Sequence, residues 1–161
     1  MATPVEVAHS IFDAMGKRDL EAVMALVADD CVDDYVAIAE FRGKASVRQF
    51  FEELLGAFPD FEIVVDRVTG DDEVAVVQWQ ASGTFTGGPF QGIDPTGRRV
   101  AIRGVDVMVV TDGLVRQDTI YHDGASFARQ IGMLPRMGTG TDRTVLAAFN
   151  MATRLRQRFN G

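Results

Sequence analysis

The hydrophobic pattern of the chain changes period. From Val5 to Leu55 apolar residues recur at three- and four-residue spacing, which marks helices with one buried face; from Phe61 to His122 they alternate, which marks half-buried strands. Val5, Ala8, Ile11, Phe12 and Met15 define a first helix. Thr3-Pro4-Val5-Glu6 gives it an N-cap, a proline in the first turn and a glutamate three residues after the cap, and Gly16 ends it. Leu20–Val27 predicts a second short helix behind Asp19, and Val47, Phe50, Phe51, Leu54 and Leu55 predict a third over Ala45–Ala57, between Gly43 and Pro59. Cys31–Ile38 reads as a short strand between them.

Two hairpins follow. Phe61–Thr69 and Glu73–Phe85 flank Gly70-Asp71-Asp72, and Val100–Thr111 and Leu114–His122 flank Asp112-Gly113. Asp-Gly suits a two-residue type I′ turn because both central residues need positive φ. Residues 87–97 hold two Gly/Pro clusters and form a loop of the kind that borders a pocket. Ser126–Leu134 reads as helical, Pro135 and Gly138-Thr139-Gly140 as a linker, and Thr141-Asp142 as the cap of a last helix, Arg143–Arg158, with Val145, Leu146, Phe149 and Leu155 on one stripe. The fold class is α+β: helices on one face of a curved antiparallel sheet, making a cone with an interior pocket. Residues 1–135 form the domain; residues 136–161 form a linker and a basic helix expected to pack on the domain or on a second subunit.

Charge narrows the partners. A net charge of −7 repels phosphate backbones and argues against nucleic acid. No stretch approaches the roughly 18 apolar residues of a membrane span, and the start lacks a basic, apolar leader, so the expectation is a soluble cytoplasmic protein without a membrane partner. Five arginines face one aspartate after residue 135, which makes the tail basic and the body more acidic. The single cysteine, Cys31, has no partner for a disulfide.

Candidate chemistry lies on the strands. Asp106 sits among Val105, Val107, Met108 and Val109, where a carboxylate must be paired, hydrogen-bonded or protonated. It is either a group tuned for acid–base work or a structural carboxylate that bonds Arg103 or a neighbouring strand. Tyr35 and Trp79 read as pocket walls or as core. Asp123 is placed to cap the helix starting at Gly124, and Tyr121 shares its parity. Asp29, Asp30, Asp33 and Asp34 lack metal-ligand spacing and read as solvated acids. His9 falls near the inward stripe of the first helix and reads as a core or rim histidine. The glycine clusters do not join a strand to a helix, so no phosphate-cradling loop is expected. No metal or cofactor is implied.

Ser82-Gly83-Thr84-Phe85-Thr86-Gly87, Pro95-Thr96-Gly97-Arg98-Arg99, Val105-Asp106-Val107-Met108, Asp112-Gly113-Leu114-Val115 and Arg129-Gln130-Ile131-Gly132-Met133-Leu134-Pro135, with the opening three helices and Gly43-Lys44-Ala45, carry a family likeness. Over roughly residues 4 to 135 the chain resembles the nuclear transport factor 2-like superfamily, and within it the SnoaL-like polyketide cyclase group. The resemblance implies a deep pocket for a hydrophobic small molecule and a homodimer. It spans cyclases, ketosteroid isomerases, limonene epoxide hydrolases, dehydratases and non-catalytic binding modules. The cyclases carry an essential acid near the end of the last strand; counted from the Asp-Gly turn without a gap, that position is Ile120, and Asp118 and His122 share its parity. Asp106 falls where cyclases carry a polar pocket residue.

The expectation is a cofactor-independent acid–base enzyme of cyclase, isomerase or hydrolase type, acting on a polyketide-, steroid- or terpenoid-like molecule. Asp106 and His122 would form its catalytic dyad, and Tyr35, Trp79, Asp118 and Ile120 would contact substrate. Asp118 could equally be exposed, and His122 could be a satisfied polar group at a strand end. The alternative is a non-catalytic ligand-binding or dimerisation module, favoured if Asp106 and His122 point to solvent or away from each other.

Overall fold

In the computed structural model, which describes residues 1–159, helix α1 (Pro4–Gly16) starts on the expected capping box. The Thr3 hydroxyl accepts from the Glu6 N–H and the Glu6 carboxylate accepts from the Thr3 N–H at 2.8 Å. α1 buries Val7, Ala8, Ile11, Phe12 and Met15. His9 lies beside that stripe and is exposed, a surface histidine and not the core or rim residue expected. Helix α2 (Leu20–Ala25) is capped by Asp19, whose carboxylate accepts from the Ala22 N–H at 3.0 Å.

Strand β1 spans Val27–Tyr35, and β2, Ala39–Arg42, pairs with it antiparallel. The alternation in the sequence starts β1 late and hides β2, because Ala39, Glu40 and Arg42 are all exposed and leave no period of two. Helix α3 (Lys44–Ala57) follows, then β3 (Glu62–Gly70), β4 (Val74–Thr84), β5 (Arg99–Thr111) and β6 (Leu114–His122), and helices α4 (Gly124–Ile131) and α5 (Gly140–Phe159). The sheet runs β2-β1-β6-β5-β4-β3 and is curved and unclosed. All neighbouring pairs are antiparallel except β1 and β6, which run parallel because α3 and the strands β3 to β5 carry the chain away before β6 returns beside β1.

The Asp112-Gly113 turn has positive φ at both residues, 55° and 75°. It pairs Thr111 with Leu114 and Val110 with Val115, and then the register slips. Val109 pairs with Gln117, which leaves Arg116 as an extra residue, a β-bulge. Met108 therefore faces Asp118, and Asp106 faces Ile120. An unbroken register would have turned Gln117, Thr119 and Tyr121 inward instead. Tyr121 is 52% exposed.

α1 packs on the concave face in one cluster with Val77, Met108 and Val110, with α2 packed against α1 and α3, while Phe50, Phe58, Phe85, Phe90 and Ile131 form a second cluster beside α3 and α4. Asp123 caps α4 as expected, accepting from the Ser126 N–H at 2.9 Å, and Gly132 ends it at φ 90°. α5 starts earlier than Thr141-Asp142 suggests, with the Thr139 hydroxyl accepting from the Asp142 N–H at 3.2 Å. Its apolar stripe faces solvent: Val145, Leu146, Phe149 and Leu155 are all exposed.

Candidate functional site

A cavity of about 290 Å³ lies between the concave face and the helices. α1 contributes Ile11, Phe12 and Met15 to its wall, α3 contributes Phe50, Phe51 and Leu54, and the loop of residues 87–97 contributes Phe90, Gln91 and Ile93. Gln91 is held by α3, with its backbone and side-chain N–H groups donating to the Glu53 carboxylate at 2.9 and 2.8 Å. The wall is mostly apolar. Its ionisable exceptions are Tyr35, Asp106, Asp118 and His122.

Asp106 is buried, and its Oδ1 accepts from the Trp79 Nε1–H at 2.7 Å. Trp79 reaches it because β4 pairs Trp79 with Gly104 of β5. A Cβ on Gly104 would overlap the indole ring, so the glycine makes the space in which the ring lies. Of the two structural partners expected for Asp106, the neighbouring strand supplies one, Trp79 of β4, and Arg103 does not, being exposed on the other face. Burial pushes the Asp106 carboxyl up to about 7; the Trp79 bond opposes that shift and the Asp33 charge adds to it.

Asp118 is not exposed. It is 7% accessible, and its Oδ1 has no hydrogen-bond partner among the described residues. Burial, then the charges of Asp106 and Asp33, hold its carboxyl well above the usual range. Asp106 and Asp118 are diagonal neighbours on adjacent antiparallel strands, a separation of roughly 7–8 Å between Cα atoms, so both carboxyl groups can reach one ligand.

His122 pairs with Gly104 and borders the same cavity, half-buried. Among the described residues no hydrogen bond joins it to Asp106; the partner of Asp106 is Trp79. Burial lowers the His122 imidazole below its ordinary value, against the pull of Asp123, which favours the neutral ring at neutral pH. Ile120, directly opposite Asp106, is buried and apolar. Tyr35 and Trp79 serve as both wall and core: the Tyr35 ring lies 4.2 Å from Phe50 and at 81° to Phe41. Burial, then Asp33, Asp106 and Asp118, keep the Tyr35 phenol neutral.

One member of the acidic run is misread by composition. Asp33 is 5% exposed, and burial pushes its carboxyl up to about 7. Parity with Cys31 and Tyr35 was the available signal, since residues two apart on a strand share a face. Asp29 and Asp30 are surface acids, paired with Lys44 and Arg116. No group of His, Cys, Asp and Glu among the described residues has the geometry to hold a metal ion. No helix among them is long and apolar enough to cross a membrane.

The family model for SnoaL-like polyketide cyclase matches residues 6–131. A comparison with curated protein sequences gives no match. Among solved structures, a protein of Jannaschia sp. CCS1 labelled a SnoaL-like polyketide cyclase is similar at TM-score 0.72 and 23% identity, covering 84% of this chain and 99% of that one. AclR from Streptomyces galilaeus, labelled a hydroxylase, aligns at TM-score 0.69 and 22% identity over 80% and 95% of the two chains. An LEH-like epoxide hydrolase from M. tuberculosis aligns at 0.64 and 20% over 80% and 88%. At these identities the likeness establishes the fold alone, and the three labels name different reactions.

Proposed function

The chain belongs to the SnoaL-like polyketide cyclase family, and from that premise we propose that its cavity binds an apolar small molecule and moves a proton on it, with Asp106 and Asp118 as the working pair. The observation that carries the reading is two buried carboxyl groups in unlike settings on one apolar wall. Asp106 has a donor, Trp79, that favours its ionised form; Asp118 has an oxygen without a partner, which favours the protonated form. Environments that separate two carboxyl groups in this way divide the labour between base and acid.

The step suited to this pair acts on a carbon next to a carbonyl. Asp106 takes the proton from that carbon, the C–H electrons form a C=C bond, and the carbonyl π electrons move to oxygen, which receives the Asp118 proton. The product is an enol. Where a C=C is conjugated with the enol, Asp106 returns its proton at the far carbon while the enol oxygen gives its proton back to Asp118, which completes an isomerisation; attack of the enol carbon on a second carbonyl closes a ring. No group outside the cavity is needed for the proton balance. His122, neutral at the wall, and Tyr35 offer hydrogen bonds that orient the ligand, and Ile120 and Trp79 supply contact area.

Deuterium wash-in provides a test that does not require the natural substrate. With 2-tetralone in D₂O, the wild-type protein exchanges the protons beside the carbonyl above the buffer rate, and Asp106→Asn lowers that rate at least about 100-fold while ketone binding persists. Equal exchange by both proteins would remove Asp106 from the reaction. Ketone binding with no exchange by the wild type would favour the binding-module reading, to which Ile120 at the family's acid position lends support.

The exposed stripe and arginines of α5, beside a more acidic body, support a homodimer in which α5 packs on the second subunit. Deleting residues 138–161 then reduces the mass in solution to that of a monomer; an unchanged mass excludes α5 from the contact. We place the protein in the cytoplasm, in keeping with a lone buried thiol.

A further inference from the structure

The cavity pair has a third carboxylate behind it. Asp33 on β1 is the register partner of Asp118 on β6, and adjacent strands stand roughly 4.8 Å apart. On its other side Asp33 is paired with Phe41 of β2, which offers no donor from its side chain. Asp33 itself does not line the cavity, so it is placed to act on Asp118 without touching a ligand.

Among the described residues no cation answers it. The titratable groups that share its face are Cys31 and Tyr35 on β1, Asp118 and His122 on β6, and Asp106 on β5; α1 presents only apolar residues there. The nearby basic side chains are committed elsewhere. Lys44 of α3 lies 3.6 Å from Asp29, Arg116 of β6 lies 2.7 Å from Asp30, and Arg42 of β2 lies 2.7 Å from Glu40. Cations on these elements are thus matched to surface acids, while the three acids of the concave face are left to one another.

We infer that Asp33 is a positioning residue that keeps a proton on the Asp106–Asp118 pair, by placing a third carboxyl group in register beside Asp118 where no cation can compensate it. Three carboxyls with no cation among them cannot all ionise together: as pH rises through about 7, where Asp33 itself ionises, its charge disfavours ionisation at 118 and, more weakly, at 106, so the acid member of the pair stays loaded. The direction of the Asp118 and Asp106 shifts, to which Asp33 contributes in both cases, agrees with this placement. The inference rests on the proton-transfer reading of the pair but concerns a residue that reading does not use.

Trp79 makes the test direct. It is the only tryptophan, and its indole N–H is bonded to Asp106, so its emission follows the charge on that carboxyl. A pH titration of the wild-type emission is expected to show a transition near pH 7 that Asp106→Asn removes. Asp33→Asn is expected to move that midpoint down by about one pH unit. Asp33→Glu, which keeps the charge, leaves it within a few tenths of the wild type, and Asp34→Asn, on the opposite face, does not move it. An unchanged midpoint in Asp33→Asn, in a protein with wild-type circular dichroism, overturns the inference and leaves the proton-transfer reading standing. A wild-type transition near pH 4 overturns the reading of the pair itself. If Asp33→Asn fails to fold, the neutral Asp33→Ser variant is titrated in the same way and held to the same outcomes.

Discussion

The two halves of the sheet treat the same residue type in opposite ways. At the β3–β4 hairpin, three aspartates face outward and are satisfied: Asp60, just before β3, accepts from the Thr84 N–H at 2.6 Å and the Thr84 hydroxyl at 2.7 Å, Asp66 accepts from Gln80, and Asp71 accepts from the Glu73 and Val74 N–H groups at 2.9 Å. Those bonds hold the Asp60 and Asp71 carboxyls below their usual values. In β1, β6 and β5, three acids face inward, among the described residues one side-chain donor, Trp79, serves them, and all three carboxyls rise. Aspartate does not by itself mean a charged surface. The face of the strand and the donors within reach decide whether it stabilises the fold or stores a proton.

The contrast makes predictions of opposite sign. A carboxyl whose folded-state value is raised binds its proton more tightly in the folded protein, so its contribution is fully present below the unfolded value and is lost as pH rises through the folded one. For Asp106 that window runs from 3.8 to about 7. The wild type should therefore lose stability across it, and Asp106→Asn, whose amide oxygen can still accept from Trp79, should be more stable than the wild type at pH 8. The shift bounds the gain at on the order of 4 kcal/mol. Urea unfolding of both proteins at pH 4 and pH 8 checks it, and a variant less stable than the wild type at pH 8 would make Asp106 a structural group after all. Greater stability together with lost proton transfer is the trade expected where a site holds a costly group for use.

The smaller effect belongs to the other half. Asp60 is exposed and its carboxyl is lowered by Thr84, so its contribution is present above the unfolded value and fades as pH falls. Asp60→Asn should lower the melting temperature slightly at pH 8 and by less as pH falls below the unfolded value of 3.8. A stabilising Asp60→Asn at pH 8 would erase the distinction between the halves.

Much of the frame is legible in the residues because local chemistry sets it. The capping box at Thr3, the Asp112-Gly113 turn and the Asp123 cap each appear where the sequence calls for them, since each depends on neighbours a few positions away. The site is less legible because it depends on partners far along the chain. Arg116 is the example: one bulge residue after the turn decides that Asp118, Ile120 and His122 face the cavity, and no residue near it announces a bulge. Asp33 is hidden differently, since its burial comes from β6, more than eighty positions away, and from a strand β2 with no alternation of its own. Trp79 reaches Asp106 only because Gly104, on the next strand, has no side chain. Expecting His122 as the partner of Asp106 follows from parity, which places side chains on a face without saying which of them meet.

The account turns on Asp106 and Asp118 holding a proton between them at neutral pH. Carbon-13 NMR of the aspartate side-chain carboxyls, titrated from pH 3 to pH 9 and assigned with Asp106→Asn and Asp118→Asn, measures this directly. The account predicts an Asp106 signal that moves near pH 7 while the Asp118 signal still reports a protonated acid. Both signals completing their change near pH 4 would contradict it.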